Sequence, residues 1–406
     1  MTKIACQARA TSRAPTGGVP MTNESARRAL AAALVAFAPL AAQADVTPWS
    51  AVAAPDWTAM FERTSGWTGA DGVYSFPLDG DDALGSATAA SRTFFTFSDT
   101  FVGTVDADGK RVDTVMVNNT NAILVGNAPG NMNFDVRTDD AGKPVSMVVP
   151  PGSGLWIWPN DGVVQGGTIY MTGLRMKTGD GGAFNFAVDG MVWMTAPASD
   201  PVPFGGSYTV ADAPMLYTPA APGVGDASYG VAVMPLTKAA HAAHPDGFVY
   251  VYGVRNDDGN KKMLVSRVKQ ASLLNPAAYT YWNGKKWVKD KARAAPLADR
   301  MASEFSVTPL PDGRYIAVFQ LDALSTTIAV RYGASPTGPW GAPIPVYACP
   351  DTTVGKQVYT YGAKAHPHLS APGELLISYH VNSFSFAQNL KNADIYHPRF
   401  VRLPLN

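Results

Sequence analysis

Beyond Met60 the apolar residues of this chain come in short alternating runs, each closed by Gly, Pro, Asn or Asp, and no stretch keeps the three-to-four spacing of a helix. The runs repeat by type. One type is apolar and aromatic, at residues 93–101, 168–176, 248–256, 314–322 and 374–382. Each of the first four is followed by a second strand, at 121–126, 190–195, 262–268 and 326–333. A smaller strand with a polar head precedes each, at 70–78, 160–165, 228–234, 304–310 and 365–370. Five repeats of inner, return and outer strand predict an all-β chain folded as a five-bladed β-propeller, whose radial repetition leaves no long open edge. The last run, 398–405, is expected to close the ring by pairing with another blade. A large β-sandwich or two smaller β domains would use similar strands, but no Pro/Ser-rich linker or charged run divides the chain. One domain over residues 45–406 is therefore expected.

In such a ring the starts of the inner strands and the ends of the return strands share one face. The starts carry Asp71, Asp161, Ser228 with Tyr229, Glu304 and His366; the ends carry Asp99, Arg175, Arg255, Gln320 and Asn382. One mouth would thus gather acids, arginines, amides, a histidine and a tyrosine from every blade, while the opposite strand ends are mostly apolar. Polar groups converging on one concave end of a rigid scaffold mark a candidate site.

Paired carboxylates suit glycoside hydrolysis, in which one acid protonates the leaving oxygen and a second carboxylate acts as nucleophile or activates water. Asp71 and Asp99 are expected on adjacent strands of one blade, where crowding raises the pKa of one of them. They form the candidate catalytic pair; alone, Asp99 in Ser98-Asp99-Thr100 would read as a turn cap. Trp158 and Asp161 lie in Trp158-Pro159-Asn160-Asp161-Gly162, where a lone Asn-Asp-Gly would be a hairpin turn and the neighbouring tryptophans suggest a sugar platform. Glu304, Arg175, Arg255, Tyr229, His366 and Asn382 complete the candidate substrate-binding set. A surface glutamate and arginines that neutralise nearby acids are the plainer readings of three of them. His366 and His368 alternate and would share a face of one strand, but they make a weak zinc site without a third ligand. No organic cofactor or metal is expected, a central Ca²⁺ near His366 being the one candidate. Two other classes stay open: a non-catalytic propeller binding glycan or protein, and a lyase using a Tyr or His base with Arg175 or Arg255 neutralising a uronate.

Charge and cysteine content narrow the partners. Lys+Arg and Asp+Glu both number 32, so no basic nucleic-acid stripe or electrostatic membrane patch is implied by net charge. From Met21, two arginines (Arg27, Arg28), an apolar run from Ala29 to Ala41 and the small-residue site Ala42-Gln43-Ala44 predict a signal peptide over about 21–44 and an exported protein, periplasmic or secreted. The apolar run is too short for a membrane span, which needs about 20 residues; an amphipathic N-terminal helix or anchor is the alternative. Residues 1–20 read as an upstream extension. Cys6 precedes the cleavage site, so Cys349 stands alone without a disulfide partner and reads as a small buried hydrophobe. A monomer acting on a polysaccharide or oligosaccharide is expected. Asp106-Ala107-Asp108-Gly109 lacks the closing Glu of a calcium loop and reads as a hairpin turn.

Four phrases carry a family resemblance: Phe97-Ser98-Asp99-Thr100-Phe101, Trp158-Pro159-Asn160-Asp161-Gly162, Glu304-Phe305-Ser306-Val307 and Tyr361-Gly362-Ala363-Lys364-Ala365-His366-Pro367. Over roughly residues 65–385 the chain resembles the propellers grouped as domains of unknown function 4185 and 5005, the first associated with the endo-D-arabinanases of glycoside hydrolase family 183. Ser335-Pro336-Thr337-Gly338-Pro339-Trp340 is also similar to a turn of family 43 arabinanases and xylosidases. The resemblance implies a propeller acting on arabinan-like furanosides, with Asp71 and Asp99 at the positions of the family's two acids. Ser98 stands where the family has Gly, and residues 79–90 insert polar sequence between the acids.

Overall fold

The computed structural model describes residues 46–179, 185–257, 259–355 and 357–405; the expected signal peptide lies outside them. Almost all regular structure is strand, and every pairing is antiparallel. The first sheet runs Tyr74–Pro77, Arg92–Phe97, Thr120–Val125, Met132–Asp135. The second runs Leu155–Gln165, Thr168–Thr178, Phe186–Pro197, Thr209–Asp212. The third is built on Ala227–Leu236, Phe248–Asp257 and Asn260–Lys269, with further short strands on both edges. The fourth runs Phe305–Pro309, Tyr315–Gln320, Thr327–Gly333, Ile344–Ala348. Val358–Ala365, Glu374–Ser383, Pro398–Pro404 and the N-terminal Val52–Ala53 make another. An additional three-stranded sheet, Ser65–Ala70, Thr100–Val105 and Arg111–Val117, stands beside the first.

Successive inner strands touch, from Tyr74–Pro77 through Leu155–Gln165, Ala227–Leu236 and Phe305–Pro309 to Val358–Ala365. The return to the start is made by Ser75 Oγ on His366 Nδ1 at 2.6 Å and Val73 N–H on His380 Nε2 at 3.2 Å. The core lies between sheets rather than in one centre. Phe76 and Phe94 pack with Ile157 and Met171, Trp193 with Val249, Tyr252 with Phe319, Val330 with Leu375, and Phe400 with Phe95. Return strands are therefore covered on both faces, which is why Tyr315–Gln320 is buried throughout and reads as an unbroken apolar run. Each such side chain contributes roughly 1.5–3 kcal/mol by leaving water. This arrangement of sheets about an axis is propeller-like.

Two expectations about strands are corrected. The last inner strand is Val358–Ala365, not 365–370: Pro367 has no N–H to continue the ladder, and Pro367–Leu369 turns as a short 3₁₀ segment. The closing run Pro398–Pro404 pairs with its own predecessor, Glu374–Ser383, and Val52–Ala53 adds the outermost strand. The first and last described strands thus meet within one sheet.

Candidate active site

Asp71 and Asp99 lie where a strand pair changes sheets. Ala70 pairs with Thr100 in the additional sheet, and Tyr74 pairs with Thr96 in the first. Between those pairs Asp71 N–H donates to the Asp99 carbonyl at 3.3 Å, and Ser98 N–H to the Asp71 carbonyl at 2.8 Å. Gly72 makes the turn at φ +60, and a Cβ there would run into the Ser98 side chain. The two aspartates leave regular pairing together, half-buried and adjacent.

Their surroundings differ. Asp71 Oδ2 accepts from the Tyr361 hydroxyl at 2.6 Å, and Asn382 Nδ2 donates to that hydroxyl oxygen at 3.2 Å. Burial, then the charge of Asp99, push the Asp71 carboxyl up to about 8, against the lowering influence of Tyr361. Asp99 Oδ1 accepts from Trp158 Nε1 at 2.9 Å and from Asn118 Nδ2 at 3.1 Å. Burial raises its pKa as well, while those two donors favour its anion.

Three further groups join from other inner strands. The second strand shifts register between Pro159 and Gly162, and this bulge aims Asp161 inward. Its carboxylate accepts from Gly162 N–H at 2.9 Å and Val233 N–H at 2.7 Å, and burial raises it to about 7. The Val358–Ala365 strand shifts register between Tyr361 and Lys364. Gly362 there has φ +67, and a Cβ would lie 2.6 Å from His380 Cδ2 and 3.4 Å from Glu304 Oε2. The bulge sets Lys364 against Glu304 as an ion pair, with the ammonium 4.3 Å from the centre of the Tyr74 ring. Lys364 is 2% exposed, and its charge also acts on Asp71 and Asp161.

Aromatic side chains border the acids on two sides. Trp158 meets Phe186 edge-on at 4.6 Å, and Tyr359, which packs on Tyr361, stacks on Phe384 at 4.3 Å. Phe186 and Phe384 keep 40% and 55% of their surface exposed. Such faces suit the C–H surfaces of sugar rings.

The structure gathers Asp71, Asp99, Trp158, Asp161, Glu304 and Asn382 and leaves five residues expected at the mouth elsewhere. Tyr229 is fully buried against Tyr281, at 5.5 Å, and offers a sugar no surface. It is core because its strand faces the second sheet at that position. His366 follows the inner strand instead of heading it, so it sits away from the mouth, 1% exposed, with Ser75 on one nitrogen and Ser378 on the other at 2.8 Å. Burial holds it well below the usual imidazole range. Arg175 is held by Asp189 at 2.8 Å and by Asp212, and Arg255 forks onto Asp257 at 2.7–3.0 Å. Both arginines answer acids on their own sheets. Gln320 is likewise interior, bonded to Thr360 at 3.1 Å and to the Ser325 carbonyl. Asn118, Tyr361 and Lys364 were not singled out from the sequence. The aromatic alternation of Val-Tyr-Thr-Tyr before Gly362 was the signal for the second and third.

Cys349 is buried, and its thiol is pushed up to about 12 by that burial, in keeping with a packing role. Asp106 to Gly109 forms the expected hairpin turn, Gly109 N–H bonding the Asp106 carbonyl at 3.0 Å. Among the described residues no group of three or more His, Cys, Asp or Glu side chains converges as metal ligands, and no helix is long and apolar enough to cross a membrane.

A family model, Domain of unknown function (DUF5005), matches residues 55–404, so the chain belongs to that family. No curated protein matches it. Its fold is similar to that of a "putative hydrolase" from Bacteroides ovatus, at 18% identity and a TM-score of 0.67, covering 87% of this chain and 90% of that one. Looser likenesses are a protein of unknown function from Dyadobacter fermentans (11% identity, TM-score 0.44, 89% and 100% covered) and the catalytic domain of a family 62 α-L-arabinofuranosidase from Coprinopsis cinerea (11%, 0.42, 84% and 97%).

Proposed function

We propose that this member of the DUF5005 family is an exported glycoside hydrolase cleaving furanoside-type, arabinan-like polysaccharide, built as a five-bladed propeller over residues 45–406 and directed outward by a signal peptide at about 21–44. The reading rests above all on one observation: two adjacent aspartates, one pushed up to about 8 and the other held by two N–H donors that favour its anion. Environments that separate two carboxylates in this way supply an acid and a base at one pH. Five sheets with inner strands in mutual contact support the blade count.

Asp71 keeps its proton at neutral pH and gives it to the glycosidic oxygen as the C–O bond breaks. The positive charge developing at the anomeric carbon is met by the Asp99 carboxylate, either directly as nucleophile or through a water whose proton Asp99 takes. Tyr361 fixes the Asp71 carboxyl, and Trp158 fixes Asp99 while presenting an indole edge to the sugar. Asp161 and the Glu304–Lys364 pair set the field behind them. The lyase alternative loses its uronate-neutralising cations, since Arg175 and Arg255 are both engaged by acids. No residue of the mechanism calls for an organic cofactor.

Sugar release from arabinans and xylans should be measured for the wild type, Asp71→Asn and Asp99→Asn. General acid–base and nucleophilic groups are each worth at least about 10²-fold, so either substitution should lower turnover by that factor while retaining binding. Equal retention of polymer by all three proteins with no cleavage would instead leave a glycan-binding propeller.

A further inference from the structure

The third sheet carries an extra hairpin, Thr280–Trp282 and Trp287–Val288, on the edge of its Asn260–Lys269 strand. Between Asn283 and Arg293 this segment holds Lys285, Lys286, Lys289, Lys291 and Arg293 against a single acid, Asp290, in a chain with zero formal net charge. Asp290 is used locally, its Oδ1 accepting from Ala292 N–H at 3.0 Å. Arg175, Arg255, Arg300 and Arg402, by contrast, each sit within ion-pair distance of a carboxylate. None of the five hairpin cations has such a partner among the described residues, and Lys285, Lys286, Lys289 and Arg293 are exposed.

The patch is held in shape. Asn283 Oδ1 accepts from the N–H groups of Lys285 at 3.1 Å and Lys286 at 2.8 Å, and Trp282 meets Trp287 edge-on at 5.4 Å. Arg267 lies 4.2 Å over Trp287 and 4.1 Å over Phe248, adding a sixth cation to the same surface. The hairpin stands at the outer edge of its sheet, with Phe248–Asp257 and Asn260–Lys269 between it and the inner strand Ala227–Leu236. A partner bound here leaves the acids free.

Unmatched like charges fixed on one surface raise the local potential and are relieved by a partner with several anions. The hairpin turns between Asn283 and Lys286 and ends in a 3₁₀ segment at Lys291–Arg293, so its cations cluster on one short element and can meet several neighbouring anions of one polymer. Insertion into a membrane needs exposed apolar residues, and no exposed large hydrophobic lies between residues 280 and 293. Single-stranded nucleic acid needs open aromatic faces, and Trp287 is covered by Arg267 and Trp282. We infer that the Asn283–Arg293 hairpin docks a polyanionic polysaccharide, one bearing carboxylate, sulfate or phosphate groups at regular intervals, and so holds the protein on an anionic matrix.

Binding of the full chain to polygalacturonate, dextran sulfate and neutral dextran tests this, at 50 and 300 mM salt, with phosphatidylglycerol vesicles as a further arm. The two polyanions separate carboxylate from sulfate recognition. Wild type should bind at least one polyanion and not dextran, with at least tenfold weakening at the higher salt because screening shortens to below about 10 Å. Lys285→Glu/Lys286→Glu/Lys289→Glu should weaken binding at least tenfold, while Lys110→Glu/Lys143→Glu/Lys238→Glu, with the same change in charge elsewhere, should stay within twofold. Equal losses in both variants, no polyanion binding at 50 mM, or tighter capture by the vesicles than by either polyanion would overturn the inference.

Discussion

Replacing Asp71 by Asn should stabilise the protein at alkaline pH and change it little under mildly acid conditions. The native carboxyl titrates near 8, against an ordinary 3.8. Between those values the folded chain holds a proton that the unfolded chain has released, so stability falls as pH rises from about 4 and levels off above about 8. The whole shift of about 4 units, at about 1.4 kcal/mol per unit, sets a ceiling of about 6 kcal/mol. Asp71 is half-buried and part of its shift is the charge of Asp99, so about a third of the ceiling is the working figure: about 2 kcal/mol at pH 8.5 and about 0.5 kcal/mol at pH 5. Asn keeps an acceptor for the Tyr361 hydroxyl and places a neutral amide beside Asp99, which removes the repulsion without emptying the site.

Thermal melts of wild type and Asp71→Asn at pH 5 and pH 8.5 read the difference directly. At roughly 1.3 °C per kcal/mol for a folded unit of this length, the variant should gain about 2–3 °C at pH 8.5 and less than about 1 °C at pH 5. Asp161 and Asp135, also raised by burial to about 7 and about 6, titrate in both proteins and cancel in the comparison. A gain of equal size at both pH values would mean that Asn merely packs better. A loss at pH 8.5 would refute the buried, proton-holding Asp71 altogether.

Two other outcomes follow from the same geometry. Trp158→Phe removes one of two N–H donors to Asp99, a charge-assisted bond worth about 1.5–3 kcal/mol; the acid limb of the kcat/KM profile should move up by about one to two pH units, and an unmoved limb would separate Asp99 from catalysis. Gly362→Ala forces a Cβ toward His380 and Glu304 at a positive φ, so chemical denaturation should show a loss of at least about 1–3 kcal/mol, and an unchanged midpoint would mean that the Tyr361–Lys364 bulge relaxes freely.

Much of the fold was legible because sheets packed face to face impose long apolar runs on their return strands, and those runs stand out at 93–101, 168–176, 248–256, 314–322 and 374–382. The acids Asp71, Asp99, Asp161 and Glu304 were legible because a carboxylate beside an apolar run has few structural excuses. What escaped was set by breaks in the two-residue period. Placing the last inner strand at 365–370 put His366 at its head, although Pro367 stops the ladder there and the strand is Val358–Ala365, whose bulge carries Tyr361 and Lys364. Arg175 and Arg255 looked available because their partners, Asp189, Asp212 and Asp257, lie across or along strands where pattern alone assigns no contact. In a regular strand a polar side chain faces either a neighbouring sheet, where it is neutralised or excluded, or solvent, where it is fully hydrated. The groups of the site sit instead where the backbone leaves that alternation. Asp71 and Asp99 do so at a switch between sheets, Asp161 and Lys364 at bulges, and so the residues with the most chemical use lie where the pattern that reveals the fold gives out.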